Sequence, residues 1–255
     1  MSNNKHDQNK PMTRKRDNVY KNPLEYLTDF EFDRNVVSVF EDMINRSVPG
    51  YATIVHNIAH FAEKFGQRNT RCYDLGCSLG AATLAIRKGI ENIEETSIVS
   101  IDTSQDMLNR AKIYIEEDKH TSPVTFKQSD IREIDINNAS IVVLNFILQF
   151  IPIEDRQQML STIFNGMTEG GCLILSEKVS FDDAIIQETL TDIHHQFKLE
   201  QGYSELEIAQ KRDAIENIMK LEYADTHLKR LRNIGFRSSM QWFQNTAFCS
   251  FFAIK

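Results

Sequence analysis

The chain has 255 residues, with 29 Lys and Arg against 36 Asp and Glu, a net charge of −7 and 41% hydrophobic content. At this length one full-sized domain with its own core is expected, and global disorder is excluded. The longest apolar run, from Ile141 to Ile153, is broken by Asn145, Gln149 and Pro152 and is too short to span a bilayer, so no membrane association is expected.

Residues 1–28 read as a disordered basic arm. The first 21 residues carry six basic and two acidic side chains, which leaves a net −11 on the remainder. A body this acidic repels a phosphate backbone, so sequence-independent nucleic-acid binding is not expected. The arm lacks the apolar segment of a secretory signal, and a solvated tail is the favoured reading over an RNA contact.

Residues 29–255 are expected to form a single domain. Apolar positions three and four apart between residues 29 and 65 predict two amphipathic helices, divided at Ser47-Val48-Pro49-Gly50-Tyr51. The pattern then changes to short apolar strands alternating with helices. Strands are predicted at Arg71–Leu75, Ser97–Asp102, Val124–Asp130, within Ala139–Phe150, and at Cys172–Glu177. Ser104 is a candidate N-cap for the helix after the second strand, and Pro152 sits near the start of the one after the fourth. Such alternation predicts a parallel sheet covered on both faces. Residues 181–233 are nearly all helical, interrupted at Gln201-Gly202-Tyr203, so a helical insertion is expected at about 181–225. Its surplus amphipathic helices predict a homodimer contact. Two β-rich runs, Phe236–Phe243 and Ala247–Ile254, close the chain as an antiparallel hairpin.

Cys72, Cys77, Cys172 and Cys249 form no C-x2-C pair, and all but Cys77 sit in apolar runs as core thiols, so a reduced, cytoplasmic protein without structural metal is expected.

The residues able to carry chemistry sit at strand ends. Asp74-Leu75-Gly76-Cys77-Ser78-Leu79-Gly80 forms the first strand-to-helix junction. There, glycines admit close backbone approach and a helix start offers unpaired N–H groups. Two glycines four apart are equally a tight turn. Asp102, 22 residues after Gly80, ends the second strand, where a carboxylate can accept both hydroxyls of a ribose. Asp130-Ile131 ends the third strand and Asn145 falls in the fourth. Polar residues at successive ends of one sheet edge predict a nucleotide-like ligand. A nicotinamide enzyme would show G-x-G-x-x-G rather than this G-x-x-x-G with a terminal hairpin.

Residues 70–255 thus resemble the class I S-adenosylmethionine-dependent methyltransferase fold, Rossmann-like, with a seven-stranded, mostly parallel sheet. Arg46-Ser-Val-Pro-Gly-Tyr51, Tyr73-Asp-Leu-Gly-Cys-Ser-Leu-Gly-Ala-Ala-Thr83, Val143-Leu-Asn-Phe146, Gly202-Tyr-Ser-Glu-Leu-Glu-Ile208 and Gln210-Lys-Arg212 are similar to the carboxy-S-adenosyl-L-methionine synthase family, over nearly the whole chain past residue 30. The resemblance implies that S-adenosyl-L-methionine and prephenate are converted to carboxy-S-adenosyl-L-methionine and phenylpyruvate, with no metal. It also implies a product passed to a tRNA carboxymethyltransferase that modifies wobble uridine, without tRNA binding here. The implied ligand contacts are Tyr51, Gly76, Cys77, Ser78, Asp102, Thr103, Asp130, Ile131, Asn145 and Arg212. Thr103 stands where the family has Asn.

Arg212 and Tyr51 are the implied catalytic residues. A guanidinium suits the new carboxylate better than Lys. Without the resemblance, Arg212 reads as a surface residue paired with Glu216, and Tyr51 as a core aromatic. Arg46 is a candidate for the carboxylates of prephenate. His194-His195 point to different sides of a helix and read as packing or interface residues. The alternatives are an ordinary methyltransferase of a small molecule or RNA, and a non-catalytic cofactor-binding scaffold subunit.

Overall fold

A computed structural model describes residues 16–21, 34–216 and 218–255. Two helices, α1 (Arg34–Ser47) and α2 (Tyr51–Phe65), precede a regular alternation. This runs β1 (Arg71–Leu75), α3 (Ala81–Gly89), β2 (Ser97–Asp102), α4 (Gln105–Glu117), β3 (Val124–Gln128), β4 (Ala139–Asn145), α5 (Ile153–Gly166) and β5 (Met167–Ser180). The insertion supplies α6 (Ala184–Glu200) and α7 (Glu205–Glu216). A two-residue strand β6 (Glu222–Tyr223), α8 (Ala224–Ile234) and the hairpin β7 (Ser238–Asn245) and β8 (Phe248–Ile254) complete the chain.

The strand order is β3-β2-β1-β4-β5-β8-β7, with β6 pairing β5 off this path. Strands β1 to β5 run parallel, while β8 lies antiparallel to both β5 and β7. This is the expected mostly parallel sheet with a terminal hairpin, extended by the short β6. The order reverses between β1 and β4, which opens a crevice at the strand ends.

Side-chain alternation along the central strands feeds two cores. In β4, Val142 and Leu144 pack with Leu160, Ile163 and Leu231 on one face; Ile141 and Val143 pack with Ile54, Ile58 and Ile86 on the other. Each such fully buried side chain stabilises the fold by about 1.5–3 kcal/mol. Cys72, Cys172 and Cys249 join these cores as free thiols, which burial pushes up to about 12.

Three differences from the sequence expectations matter for the cavity. The apolar run after Ala139 does not stay a strand to Phe150. It stops at Asn145, Phe146 takes a left-handed conformation (φ 65°), and Leu148–Phe150 form a 3-10 turn. The buried Glu177 carboxylate accepts the N–H groups of Leu148 and Gln149 at 2.8 Å each, giving that turn partners no sequence window reveals. Second, β5 extends to Ser180, beyond Glu177, and Lys178 on this extension pairs with Phe248 of β8. Third, residues 16–21, part of the basic arm expected to be disordered, pack on the body. Asp17 is buried, accepts the Tyr203 hydroxyl at 2.5 Å, and donates its N–H to Asp42. Residues 1–15 and 22–33 lie outside the described residues.

Candidate functional site

The ends of β1, β2, β3 and β4, together with α1, α6 and α7, enclose a cavity of about 610 Å³. All ten residues singled out from the sequence line it: Tyr51, Gly76, Cys77, Ser78, Asp102, Thr103, Asp130, Ile131, Asn145 and Arg212. Arg46 does not. Its guanidinium meets the carbonyls of Gln201 and Asp17 and the Asp42 carboxylate, and stacks 3.8 Å over the Tyr203 ring. It fastens α1 to the insertion rather than awaiting a substrate.

The sheet side is built by backbone. Gly76 (φ 81°) turns the chain sharply out of β1, and its N–H and that of Cys77 both donate to the Ile101 carbonyl at 2.8 Å. A Cβ at Gly76 would lie 2.3 Å from the Ile147 side chain, so a larger residue fits neither the angle nor the space. Gly80 (φ 83°) starts α3, and Ser78 between them is also left-handed (φ 49°). Asp102 pins this loop, accepting the N–H of Ser78 at 2.8 Å and of Ser104 at 2.9 Å. Ser104 caps α4, its hydroxyl accepting from the Met107 N–H.

This wall is acidic. Burial raises the Asp102 carboxyl above its ordinary value, opposed by those N–H donors. Asp74 is fully enclosed and accepts the Thr83 hydroxyl at 2.6 Å. Burial pushes its carboxyl up to about 7, the Thr83 bond opposing and the Asp102 charge adding. Asp130 behaves differently. Arg132 grips both its oxygens, at 2.6 Å for the shortest contact, and holds it below the ordinary carboxylate range. An amino group recognised by Asp130 would therefore share it with a guanidinium. Asn145 presents a buried side-chain oxygen with no hydrogen-bond partner among the described residues. An orphaned acceptor on a cavity wall costs about 1–3 kcal/mol unless a ligand donor meets it. Carboxyl groups at three strand ends, a glycine-lined turn and this unmet acceptor suit a cationic, nucleoside-bearing, amino-containing ligand such as S-adenosylmethionine. Tyr51, at the start of α2, tilts against Phe146 with ring centroids 6.4 Å apart, and burial raises its phenol.

The facing wall is basic, and most of it went unrecognised in the sequence. It comprises Lys178 at the end of β5, Lys198 and the two histidines on α6, and Lys211 and Arg212 on α7. Gln187, Thr191, His194, His195 and Lys198 recur three and four apart, so they form one helical stripe facing the cavity. His194 does pack, 4.9 Å from the Phe248 ring centroid, but it also lines the cavity. Its Nε2 lies 2.8 Å from the Ser47 carbonyl, which only accepts, so Nε2 carries the proton. Burial pulls this imidazole down to about 3, and the charges of Lys198, Lys178 and Lys211 reinforce the shift. Lys211 is itself buried. Its ammonium meets the Ser47 hydroxyl at 2.9 Å and Asp17 at 3.7 Å, and burial pulls it down to about 8. Arg212 is half exposed, with Asp213 at 3.6 Å as a loose neighbour. The Glu216 side chain, its other expected partner, lies outside the described residues.

Arg156 joins the two walls. It is wholly buried, pairs with Glu222 at 2.5 Å, and donates to the carbonyls of Ile151 and Lys220. Residues 149–151 and 221 line the cavity, so this one guanidinium sets the spacing of its rim. Among the described residues no group of three or more His, Cys, Asp or Glu side chains could hold a metal ion, and no helix is long and apolar enough to cross a membrane.

A family model described as a methyltransferase domain matches residues 67–229. The carboxy-S-adenosyl-L-methionine synthase of Photobacterium profundum is 52% identical over 239 residues, covering 94% of this chain and 98% of that protein. The synthase of a Shewanella species is 48% identical over 244 residues, covering 96% and 100%. Among solved structures, magnesium protoporphyrin IX methyltransferase from Synechocystis, with bound S-adenosylmethionine, superposes with a TM-score of 0.54 at 15% identity, over 89% of this chain and 86% of that one. Human N-acetylserotonin methyltransferase gives 0.56 at 13% identity, over 87% and 55%. At such identities these two structures speak for the fold alone.

Proposed function

The chain belongs to the carboxy-S-adenosyl-L-methionine synthase family, and from that premise we propose that it converts S-adenosyl-L-methionine and prephenate to carboxy-S-adenosyl-L-methionine and phenylpyruvate. The observation that carries this reading is the division of one cavity into an acidic wall and a basic wall. A methyl transfer to a neutral acceptor needs only the first. A reaction between a sulfonium cation and a dicarboxylate needs both.

In the proposed chemistry, prephenate loses carbon dioxide and hydroxide as its ring becomes aromatic. The hydroxide takes a proton from the sulfonium methyl and leaves as water. The resulting ylide carbon attacks the carbon dioxide, forming the new carbon–carbon bond and a carboxylate. The protein supplies positioning, exclusion of water and charge stabilisation. Asp102 accepts from the ribose, Asp130 and Ile131 flank the adenine, and Asn145 meets the amino acid portion. Gly76, Cys77, Ser78 and Thr103 shape the backbone cradle. Tyr51 closes the cavity over the reacting carbon, and Arg212 receives the new carboxylate with paired donors.

The enzyme acts as one domain, residues 29–255 with residues 16–21 packed against it, and passes its product to a tRNA carboxymethyltransferase for wobble uridine modification. The net −11 of its body supports the absence of direct tRNA binding, and four buried free thiols support a cytoplasmic location. Ile185, Ile186 and Ile193 on α6 and Leu206 on α7 are exposed, the first by 76%, and support a homodimer formed through the outer face of the insertion.

Mass spectrometry of a reaction containing both substrates tests the assignment. The expected product is heavier than S-adenosylmethionine by the elements of carbon dioxide, with phenylpyruvate in equal amount. S-adenosylhomocysteine alone would indicate an ordinary methyltransferase, and no consumption of prephenate would indicate a scaffold.

A further inference from the structure

Residues 16–21 tie together the parts of the chain that carry the basic wall. The Arg16 guanidinium donates to the Gly202 carbonyl at 3.0 Å, the Asp17 N–H to the Asp42 carboxylate at 2.7 Å, and the Gln210 side chain to the Tyr20 carbonyl at 2.9 Å. Tyr20 packs in one cluster with Val36 and Met43 of α1 and Ala214 of α7.

The Asp17 side chain stands behind the cavity wall. It is 3% exposed, accepts the Tyr203 hydroxyl, and lies 3.7 Å from the ammonium of Lys211, which lines the cavity and is itself 6% exposed. That ammonium donates to the Ser47 hydroxyl at 2.9 Å, and the Ser47 carbonyl receives the His194 N–H. The other groups facing it are Asp42 and Arg46 from α1, the Tyr203 ring 5.2 Å away, and a neutral His194 from α6. Two cations, Arg46 and Lys211, thus meet two carboxylates, Asp17 and Asp42. Burial pulls the Lys211 ammonium down to about 8, and Asp17 is the largest charge opposing that fall. A buried ammonium deprived of its counter-charge sheds its proton more readily.

We propose that Asp17 is a positioning residue of the active site, keeping the Lys211 ammonium charged and against Ser47, where it attracts an anionic 2-oxo acid to the wall that Arg212 shares. This rests on the reaction proposed above. Asp17 acts through Lys211 and not on the substrate.

Asp17→Asn tests the role, because the amide keeps the shape and an acceptor for Tyr203 and removes only the charge. Loss of a counter-charge at 3.7 Å is expected to lower the proton affinity of Lys211 about tenfold. Phenylpyruvate binding, read by calorimetry, should therefore weaken about 5–10-fold at about pH 8.5 and by less than about twofold at about pH 6.5. Asp74 titrates near 7 on the sheet wall in both proteins and cancels in a comparison at one pH. Lys211→Arg, charged at both values, should show a smaller alkaline loss than the wild type, and Asp17→Asn should cost nothing further in a Lys211→Gln background. A loss in Asp17→Asn that is equal at the two pH values, or that persists without Lys211, would make residue 17 a structural clasp and overturn the proposal. An alkaline loss in Lys211→Arg as large as in the wild type would overturn it without recourse to any Asp17 variant. The expected pH split with prephenate left unconsumed would overturn the reaction and keep the role of Asp17; a wild type that binds no phenylpyruvate would overturn both.

Discussion

The two walls of the cavity are made by different means. The sheet wall is a consequence of the fold: strand ends, a left-handed glycine turn and backbone N–H groups held by Asp102 leave few degrees of freedom. The facing wall is a set of long side chains, Lys178 on β5 and the others on α6 and α7, helices that expose Ile185, Ile186, Ile193 and Leu206 elsewhere. On the proposed function, recognition of a nucleoside-bearing cation comes with the architecture, whereas anion recognition is added by an insertion between β5 and α8. A shared fold therefore does not fix the reaction.

The comparison breaks most visibly at Asp102. In the proposed binding mode Asp102→Ala removes an acceptor for two hydroxyls, so S-adenosylmethionine affinity should fall by about 10²–10⁴-fold. Phenylpyruvate affinity should be unchanged by calorimetry. Equal losses for both ligands would show that the walls are not independent. Arg156→Ala should instead injure both walls, because it removes one of the two guanidinium partners of Glu222, leaving Arg230, and frees residues 149–151 from residues 220–222. A loss of about 1–3 kcal/mol in urea unfolding is expected, from the carbonyls it leaves unpaired, with weaker binding of both ligands.

A smaller effect separates the walls by proton linkage. Asp74 sits near 7 in the free protein, and a cationic ligand favours its ionised form. S-adenosylmethionine binding should then release protons at neutral pH. Its affinity should rise by up to about tenfold per unit as pH increases towards 7, and level off above. Lys211, near 8, has the opposite sign: an anion raises its affinity for protons, so phenylpyruvate binding should take protons up. Calorimetry in buffers of different ionisation enthalpy reads both signs, and a common sign would remove the distinction.

How much of this was legible in the sequence follows the same division. The sequence places β1 and β2 at their observed bounds and marks the glycine turn, Asp102, Asp130 and Asn145, because strand ends and glycine turns have local signatures; Tyr51, Thr103 and Arg212 are reached only through the family resemblance. Lys178, Lys198 and Lys211 have none. A lysine in an amphipathic stretch looks like any solvated residue until the insertion folds back over the sheet. Arg46 shows the converse, since its ligands at Asp17 and Gln201 lie 29 and 155 residues away. The early end of β4 likewise depends on Glu177, which reaches it from the neighbouring strand.

The central claim is that opposite walls read opposite charges on one ligand. It is tested most directly by comparing the affinities of carboxy-S-adenosylmethionine and S-adenosylmethionine for the wild type and Arg212→Ala. The wild type should prefer the carboxylated ligand by about 10–100-fold, the worth of a charge-assisted carboxylate contact. The variant should bind S-adenosylmethionine normally and lose that preference. An undiminished preference in Arg212→Ala would contradict the account.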